Sequence, residues 1–506
     1  MIRNILEYLE ASAGRYPQKT AFADQESSCT LQELLDRAHR IGSGLAGRIP
    51  PRQPVPVMME KSVDTIAVFM GIVCAGCFYI LLDIRQPEKR IRQILDTLEA
   101  EVVVSSREYA GELENMGFDG QVLWMEELEA APARRELLKK IRCQARDTDP
   151  LYGIFTSGST GVPKGVVVCH RSVIDFIDHF TELFGITQED VIGNQAPWDF
   201  DVSVKDIYSG LKTGARVQII PKKLFSFPTQ LLDCLCQHQV TTLIWAVSAL
   251  CIVTTLHGFD YRIPHSVKRV LFSGEVMPAK HLNQWMQALD GAQFVNLYGP
   301  TEITCNCTYY RVERELEMGE TLPIGRPFPN EAVFLLDEED REVTEPGRKG
   351  EICVAGTALA LGYYNNREQT EKVFVQNPLN PGYPERIYRT GDLGYYGEDG
   401  ELYFASRKDF QIKHMGHRIE LGEIEAAMEQ IPGIGRSCCI FDKEKNRIEA
   451  FYEGNLEKRQ IKKLLGTRLP AFMLPNGFYR VDCFPLTKNG KTDRKRLEQM
   501  AKEGSV

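Results

Sequence analysis

The sequence has no block of lysine or arginine in its body, and its net charge is −9. Nucleic acid is therefore excluded as an expected partner, because its recognition needs clustered cations. Paired CxxC spacing is also missing: Cys234-Leu235-Cys236 and Cys305-Asn306-Cys307 are the nearest approaches, and they read as ordinary buried thiols rather than a zinc site. The first thirty residues lack a continuous apolar core and carry Glu7, Glu10, Arg15 and Lys19, so no secretory signal is present. With fourteen scattered cysteines, this points to reduced thiols and a cytoplasmic location. There is no internal repeat and no low-complexity tract. One stretch imitates a membrane span: residues 65–82 carry no charge. It contains Gly71 and Gly76, is flanked by Asp64 and Asp83, and reads as a buried helix running into a buried strand, without membrane insertion.

A chain of 506 residues exceeds one compact core, and 43% apolar with 25% charged residues is the balance of a soluble globular protein of two or more domains. Leu31, Leu34, Leu35, Ala38, Ile41 and Leu45 recur at helical spacing. Apolar strands at 55–58, 102–105, 217–221, 242–245 and 270–273 alternate with helical stretches, which predicts an α/β fold with largely parallel sheets. From 323 to 354 shorter strands and turns, with Pro327, Pro346 and Gly347, predict a β-rich subdomain. After Arg407 the texture is that of a small α+β unit.

The stretch Phe155-Thr156-Ser157-Gly158-Ser159-Thr160-Gly161-Val162-Pro163-Lys164-Gly165 reads as a turn between two strands. Its glycines let backbone N–H groups approach an anion, its hydroxyls add donors, and Lys164 adds charge, a combination suited to phosphates. It is not a Walker A loop, since Pro163 precedes the lysine and β-branched residues follow. A polar hairpin turn is the plain alternative. In Asn296-Leu297-Tyr298-Gly299-Pro300-Thr301-Glu302 an aromatic sits beside a sharply turned backbone, and Thr301 and Glu302 offer hard oxygens to Mg²⁺. Alone, that segment would be a turn ending a strand.

Together these segments resemble the adenylate-forming superfamily, which includes acyl-CoA ligases, luciferases, nonribosomal-peptide adenylation domains and D-alanine carrier-protein ligases. The resemblance extends to residues 71–83, to Tyr388-Arg389-Thr390-Gly391-Asp392, to residues 407–425 and to Pro485-Leu486-Thr487-Lys488-Asn489-Gly490-Lys491-Thr492-Asp493-Arg494. It implies a large N-terminal domain, 1–408, with two αβ subdomains and a β-rich one, and a small mobile α+β domain, 409–506. It also implies ATP and Mg²⁺: a carboxylate attacks the α-phosphate, pyrophosphate leaves, and an acyl-adenylate forms. By resemblance Thr156, Ser157, Gly158, Ser159, Thr160, Gly161 and Lys164 face the departing phosphates, and Glu302 holds the metal. Gly274, Glu275, Asn296, Tyr298, Gly299 and Thr301 surround the nucleotide, Asp392 takes the ribose hydroxyls, Arg407 reaches the nucleotide, and Lys491 bridges substrate carboxylate and α-phosphate. Asp409 is the implied hinge, and the Gly416 loop replaces Lys491 when a thiol attacks the adenylate.

Trp198-Asp199-Phe200-Asp201-Val202-Ser203-Val204 is similar to the segment of amino-acid-activating members in which an aspartate pairs with the substrate α-ammonium; Asp201 holds that place. A cap on the helix starting near Val204 is the alternative use. The implied pocket is Asp201, Val202, Lys205, Trp245, Leu271, Ser273, Leu297, Cys305 and Asn306. Trp245 and Leu297 would shorten it, whereas an inward Lys205 would pair with an acidic side chain; a solvent-facing Lys205 stays open. Gly274-Glu275-Val276-Met277-Pro278 brings the chain near the D-alanine ligases, although Ser273 stands where those place cysteine. No carrier domain follows Val506, so a monomer serving a separate phosphopantetheinylated carrier protein is expected. The expected function is amino-acid activation and transfer to that carrier, with a D-alanine ligase of teichoic acid D-alanylation or an acyl- or aryl-CoA ligase as alternatives.

Overall fold

Thr30 starts the first long helix, Leu31–Leu45, through a reciprocal cap. Its hydroxyl accepts from the Glu33 amide at 3.2 Å and its own amide donates to the Glu33 carboxylate at 2.8 Å. The face made by Leu31, Leu34, Ala38, Ile41 and Leu45 is buried, as the spacing predicts. It packs on helix Val63–Cys74, whose residues from Thr65 onward are all buried and which leads into the buried strand Phe78–Leu81. The uncharged stretch is thus core. Among the described residues no helix is long and apolar enough to cross a membrane.

The protein is described here by a computed structural model, over residues 2–158, 162–408, 411–442, 445–485 and 492–503. It is mixed α/β, and its contacts divide it into two compact units. The first comprises Met1–Ile84, Leu98–Ile154 and Val166–Lys408. Among the described residues its largest sheet has nine strands, in the order Arg326–Pro327, Thr308–Val312, Gln293–Tyr298, Arg269–Ser273, Thr242–Ala246, Val191–Asn194, Arg216–Ile219, Thr20–Ala23 and Ser28–Thr30. The central pairings are parallel and the edges antiparallel. A seven-stranded sheet carries Pro54–Met58, Phe78–Leu81, Val102–Ser105 and Gln121–Trp124 as parallel neighbours, with Pro150–Thr156 and Lys164–Cys169 beyond them. The β-rich part expected after Pro323 is a five-stranded antiparallel sheet built on Glu331–Leu336, Gly350–Gly356 and Arg386–Tyr396.

The second unit comprises Arg85–Thr97, Phe155–Gly165 and Asp409–Val506. Its hairpin Gln411–His414/His417–Glu420 turns through Met415 and Gly416, both at positive φ (54° and 79°), the signature of a type I′ turn. Helix Leu421–Glu429 and the sheet of Ile434–Asp442, Arg447–Gly454 and Gly477–Arg480 enclose a core of Ile419, Ile424, Met428, Ile448 and Ile461.

The two early helices of the first unit approach so closely that a β-carbon at Gly71 would lie 2.4 Å from Ile41 Cγ2 and 2.6 Å from Ile41 Cβ. Ile41 is β-branched and fully buried, so it has little freedom to move aside. Gly71→Ala is expected to lower stability by about 1–3 kcal/mol through overpacking, despite a helix-propensity gain of roughly 1 kcal/mol. A lowered urea midpoint, with a smaller drop when Gly71→Ala is made on an Ile41→Ala background, checks this; an unchanged midpoint would refute the tight contact.

Candidate active site

The strand Arg386–Tyr396 pairs with Leu402–Arg407 so that Asp392 and Arg407 are direct cross-strand neighbours. Their side chains meet: Arg407 Nη1 donates to Asp392 Oδ1 at 2.5 Å, and Tyr298 Oη donates to Asp392 Oδ2 at 2.6 Å. The carboxylate is 2% exposed, and burial together with its charge raises the Tyr298 hydroxyl well above its ordinary titration range. The turn behind it is anchored by Glu351, which accepts from the Gly391 amide at 3.1 Å, Lys408 at 3.0 Å and Arg389 at 3.1 Å. Three motifs separated in the chain thus close into one cluster of Tyr298, Asp392 and Arg407.

Tyr298 ends its strand and the chain turns through Gly299, where a β-carbon would stand 2.5 Å from Asn306 Cα and 2.7 Å from the Cys305 carbonyl oxygen. Only glycine lets this turn lie on the Cys305–Asn306 backbone. Thr301 and Glu302 follow in a buried 3₁₀ turn, and Tyr363 Oη donates to Glu302 Oε1 at 2.7 Å. A buried carboxylate held by a phenol is the kind of hard oxygen donor that a magnesium ion prefers. Among the described residues no group of three or more His, Cys, Asp or Glu could form a protein-only metal cage. Asn296 donates through its side-chain amide to the Pro323 carbonyl at 2.8 Å. Gly274 and Glu275, both partly buried, leave the end of strand Arg269–Ser273.

Helix Ser203–Thr213 is buried from Ser203 through Leu211, and its N-cap position is Val202, one residue after Asp201. Burial raises the titration of Tyr152 and Cys305, and the nearby Asp201 carboxylate adds to the rise in both. Lys205 points inward: it has no exposed surface, and its Nζ donates to Asn306 Oδ1 at 2.7 Å. The Cys305 thiol donates to the same oxygen at 3.4 Å, and burial pushes its pKa to about 12. Val202 is partly buried at the helix start.

Trp245 does not join this group. Register pairs Ala246 with Ser273 and Ser273 with Leu297, and pairs Ile244 with Leu271, whereas Trp245 is beside Phe272. Because side chains alternate across a sheet, Trp245 lies on the opposite face from Leu271 and Leu297. It belongs to a separate core with Phe225 and Trp285, and its indole N–H donates to the Gly193 carbonyl at 2.7 Å. The position on the pocket face is Ala246, one residue later. Asp206, Asn194, Lys61 and Tyr363 also escaped sequence reasoning. Asp206 had one local signal, a second charge within an otherwise buried helix; the others are long-range partners. Asn194 Nδ2 donates to Asp206 Oδ2 at 2.6 Å, and Lys61 Nζ donates to Asn194 Oδ1 at 2.9 Å.

In the second unit, a β-carbon on Gly158 would meet the Val162 carbonyl oxygen at 2.0 Å, so the neck of the hydroxyl-rich loop is tightly closed. Ser157 Oγ donates to the Arg418 carbonyl at 2.8 Å and accepts from the Glu420 amide at 3.2 Å. Thr156 ends one flanking strand, and partly buried Lys164 opens the other. Buried Arg90 and Glu423 pair at 2.8 Å beside these segments. Ser159, Thr160, Gly161, Asp409 and Lys491 lie outside the described residues.

The cluster of Tyr298, Asp392 and Arg407 sits on a mixed α/β scaffold, and the match to the AMP-binding enzyme family over residues 9–364 shows that the chain belongs to that family, within the adenylate-forming superfamily. It is 31% identical to tyrocidine synthase 1 of Brevibacillus parabrevis over 98% of this chain and 45% of that protein. It is 31% identical to bacitracin synthase 1 of Bacillus licheniformis over 98% of this chain and 9% of that one. The chain therefore spans less than half the length of these two relatives. Zwittermicin A synthase ZmaJ of Bacillus cereus is 32% identical, with 97% of this chain and 94% of ZmaJ covered. The fold matches the Vibrio cholerae adenylation domain AlmE in complex with glycyl-adenosine-5'-phosphate (TM-score 0.84, 20% identity, 99% and 98% covered). It equally matches an artificially fused adenylation–PCP di-domain from Klebsiella oxytoca (TM-score 0.82, 21% identity, 95% and 94% covered).

Burial lifts the Asp206 carboxyl to about 7, against the lowering influence of the Asn194 hydrogen bond and the Lys205 and Lys61 charges. Its folded-state value thus lies above that of the unfolded chain. The folded protein holds the extra proton from roughly pH 4 to pH 7, and stability falls as pH rises through that window. Asp206→Asn removes the titration while keeping an acceptor for Asn194. Its melting temperature relative to wild type is expected to rise between pH 5 and pH 8; a constant difference would refute the assignment.

Proposed function

We propose that the chain activates an amino acid as its aminoacyl-adenylate, with ATP and release of pyrophosphate, and passes it to the phosphopantetheine thiol of a carrier protein. The observation carrying this reading is Asp201: a carboxylate placed just before the buried helix Ser203–Thr213 and beside Tyr152 and Cys305. A carboxylate there suits an α-ammonium, and a simple acyl or aryl acid has no use for it. The glycyl-adenylate in AlmE and the PCP partner in the Klebsiella di-domain support the same reading. D-Alanine is one candidate substrate within it.

Negative charge accumulates at phosphorus during adenylation, so cations and donors aimed at the phosphates supply the catalysis. Asp392, held by Tyr298 and Arg407, accepts the ribose hydroxyls. Lys164 and the hydroxyl loop from Thr156 to Gly161 hold the departing phosphates, and Lys491 stabilises the reacting oxygens. Glu302 would hold magnesium, which when bound neutralises phosphate charge. The C-terminal domain, 409–506, turns about Asp409 between the two half-reactions and brings the Gly416 hairpin in place of Lys491. All fourteen cysteines are unbridged, in keeping with a cytoplasmic protein, and we take the chain to act as a monomer.

Amino-acid-dependent ATP–pyrophosphate exchange tests the reading, with fatty and aryl acids as controls; exchange with those acids alone would replace it with a CoA-ligase function. Asp201→Ala is expected to raise the apparent KM for the amino acid by about 100-fold while leaving that for ATP unchanged. An unaltered amino-acid KM would remove the ammonium role. Lys491→Ala is expected to lower kcat by about 100-fold with ATP binding retained; equal loss of both would assign Lys491 to ground-state binding.

A further inference from the structure

Helix Ser203–Thr213 carries an ammonium into a fully buried position, for Lys205 has no exposed surface. Its hydrogen-bond acceptor, Asn306 Oδ1 at 2.7 Å, is neutral. Among the described residues Lys205 forms no ion pair. Three titratable groups face it. The Cys305 thiol is protonated at neutral pH, because burial pushes its pKa to about 12. Asp206 turns its carboxylate to Asn194, 2.6 Å away. Asp201, four residues before Lys205, lies near Cys305 as well. A peg joining helix to loop would need no charge, since a neutral amide could hold Asn306 without desolvating an ammonium. A charge kept in that place is explained when a ligand brings the anion.

We propose that Lys205 is the specificity residue for the substrate side chain, and that the amino acid taken by this chain carries a second carboxylate, as aspartate and glutamate do. This rests on the amino-acid-activating function proposed above. Asp201 then answers the α-ammonium and Lys205 the side-chain carboxylate, leaving the α-carboxylate to react. Opposite charges four residues apart read the substrate at two points, and an amide side chain leaves the ammonium without its anion.

Pyrophosphate exchange on the whole chain, with both enantiomers of aspartate, glutamate, asparagine and glutamine, and with glycine, alanine, leucine, lysine and simple acids, tests this. Aspartate or glutamate is expected to give the highest kcat/KM, with the amide of equal length at least about 100-fold lower. Lys205→Gln is expected to reverse that preference while leaving the KM for ATP unchanged. A highest rate with a neutral or basic amino acid overturns the proposal and leaves amino-acid activation standing. Exchange with simple acids alone overturns both. A folded Lys205→Gln with an unchanged acid-to-amide ratio also overturns it, and if that variant is insoluble the wild-type panel decides.

Discussion

A charge taken out of water must be answered inside the protein, and this requirement organises the candidate site. Leaving one buried charge unanswered costs several kcal/mol, a large share of the roughly 5–15 kcal/mol that keeps a domain folded. Asp392 is answered by Tyr298 and Arg407, one bond to each oxygen. Glu302 is held by Tyr363, and Glu423 by Arg90. These pairings join elements distant in sequence, so they form only once the fold is assembled.

The parallel sheet supplies the common platform. Thr242–Ala246, Arg269–Ser273 and Gln293–Tyr298 run side by side, and their carboxyl ends deliver Ala246, Ser273 and Leu297 in one row. Ligands of open parallel sheets collect beyond those ends, because loops there are free to vary while the strands stay rigid. The turn after Tyr298 then folds Cys305 and Asn306 back against Gly299, and Asn306 meets the helix that carries Lys205.

Local chemistry was legible in the sequence. The helical face of Leu31 to Leu45, the uncharged helix and strand, and the alternation of parallel strands follow from spacing alone, and the motif residues Tyr298, Asp392 and Arg407 stand out as types. Their mutual bonds were not legible, since they depend on register. Trp245 shows how sharp that limit is: a shift of one position on a strand reverses the face, and the wide indole belongs to the dry core behind the sheet. Lys205 was undecidable for a different reason. Its helix is buried on every side, so no polar face existed to show which way the lysine points. Tyr363 gave no signal, because a phenol that orients a carboxylate sixty-one positions away has no local pattern.

Although the Lys205 charge still acts on the Asp206 carboxyl, one oxygen of that group is held away from a direct pair with Lys205 by the amide of Asn194. Its oxygen accepts from Lys61 and its nitrogen donates to Asp206, so its orientation is set by opposite charges at its two ends. That commits one Asp206 oxygen to Asn194, and burial raises the titration of the carboxyl. Consecutive residues on a helix point about 100° apart, which directs Asp206 toward the Asn194 side and Lys205 toward the Cys305–Asn306 loop. The helix thus separates a carboxylate from an ammonium that are adjacent in sequence. Lys205 so placed donates to a neutral amide oxygen on a loop far along the chain, and this bond ties the helix to the turn after Tyr298.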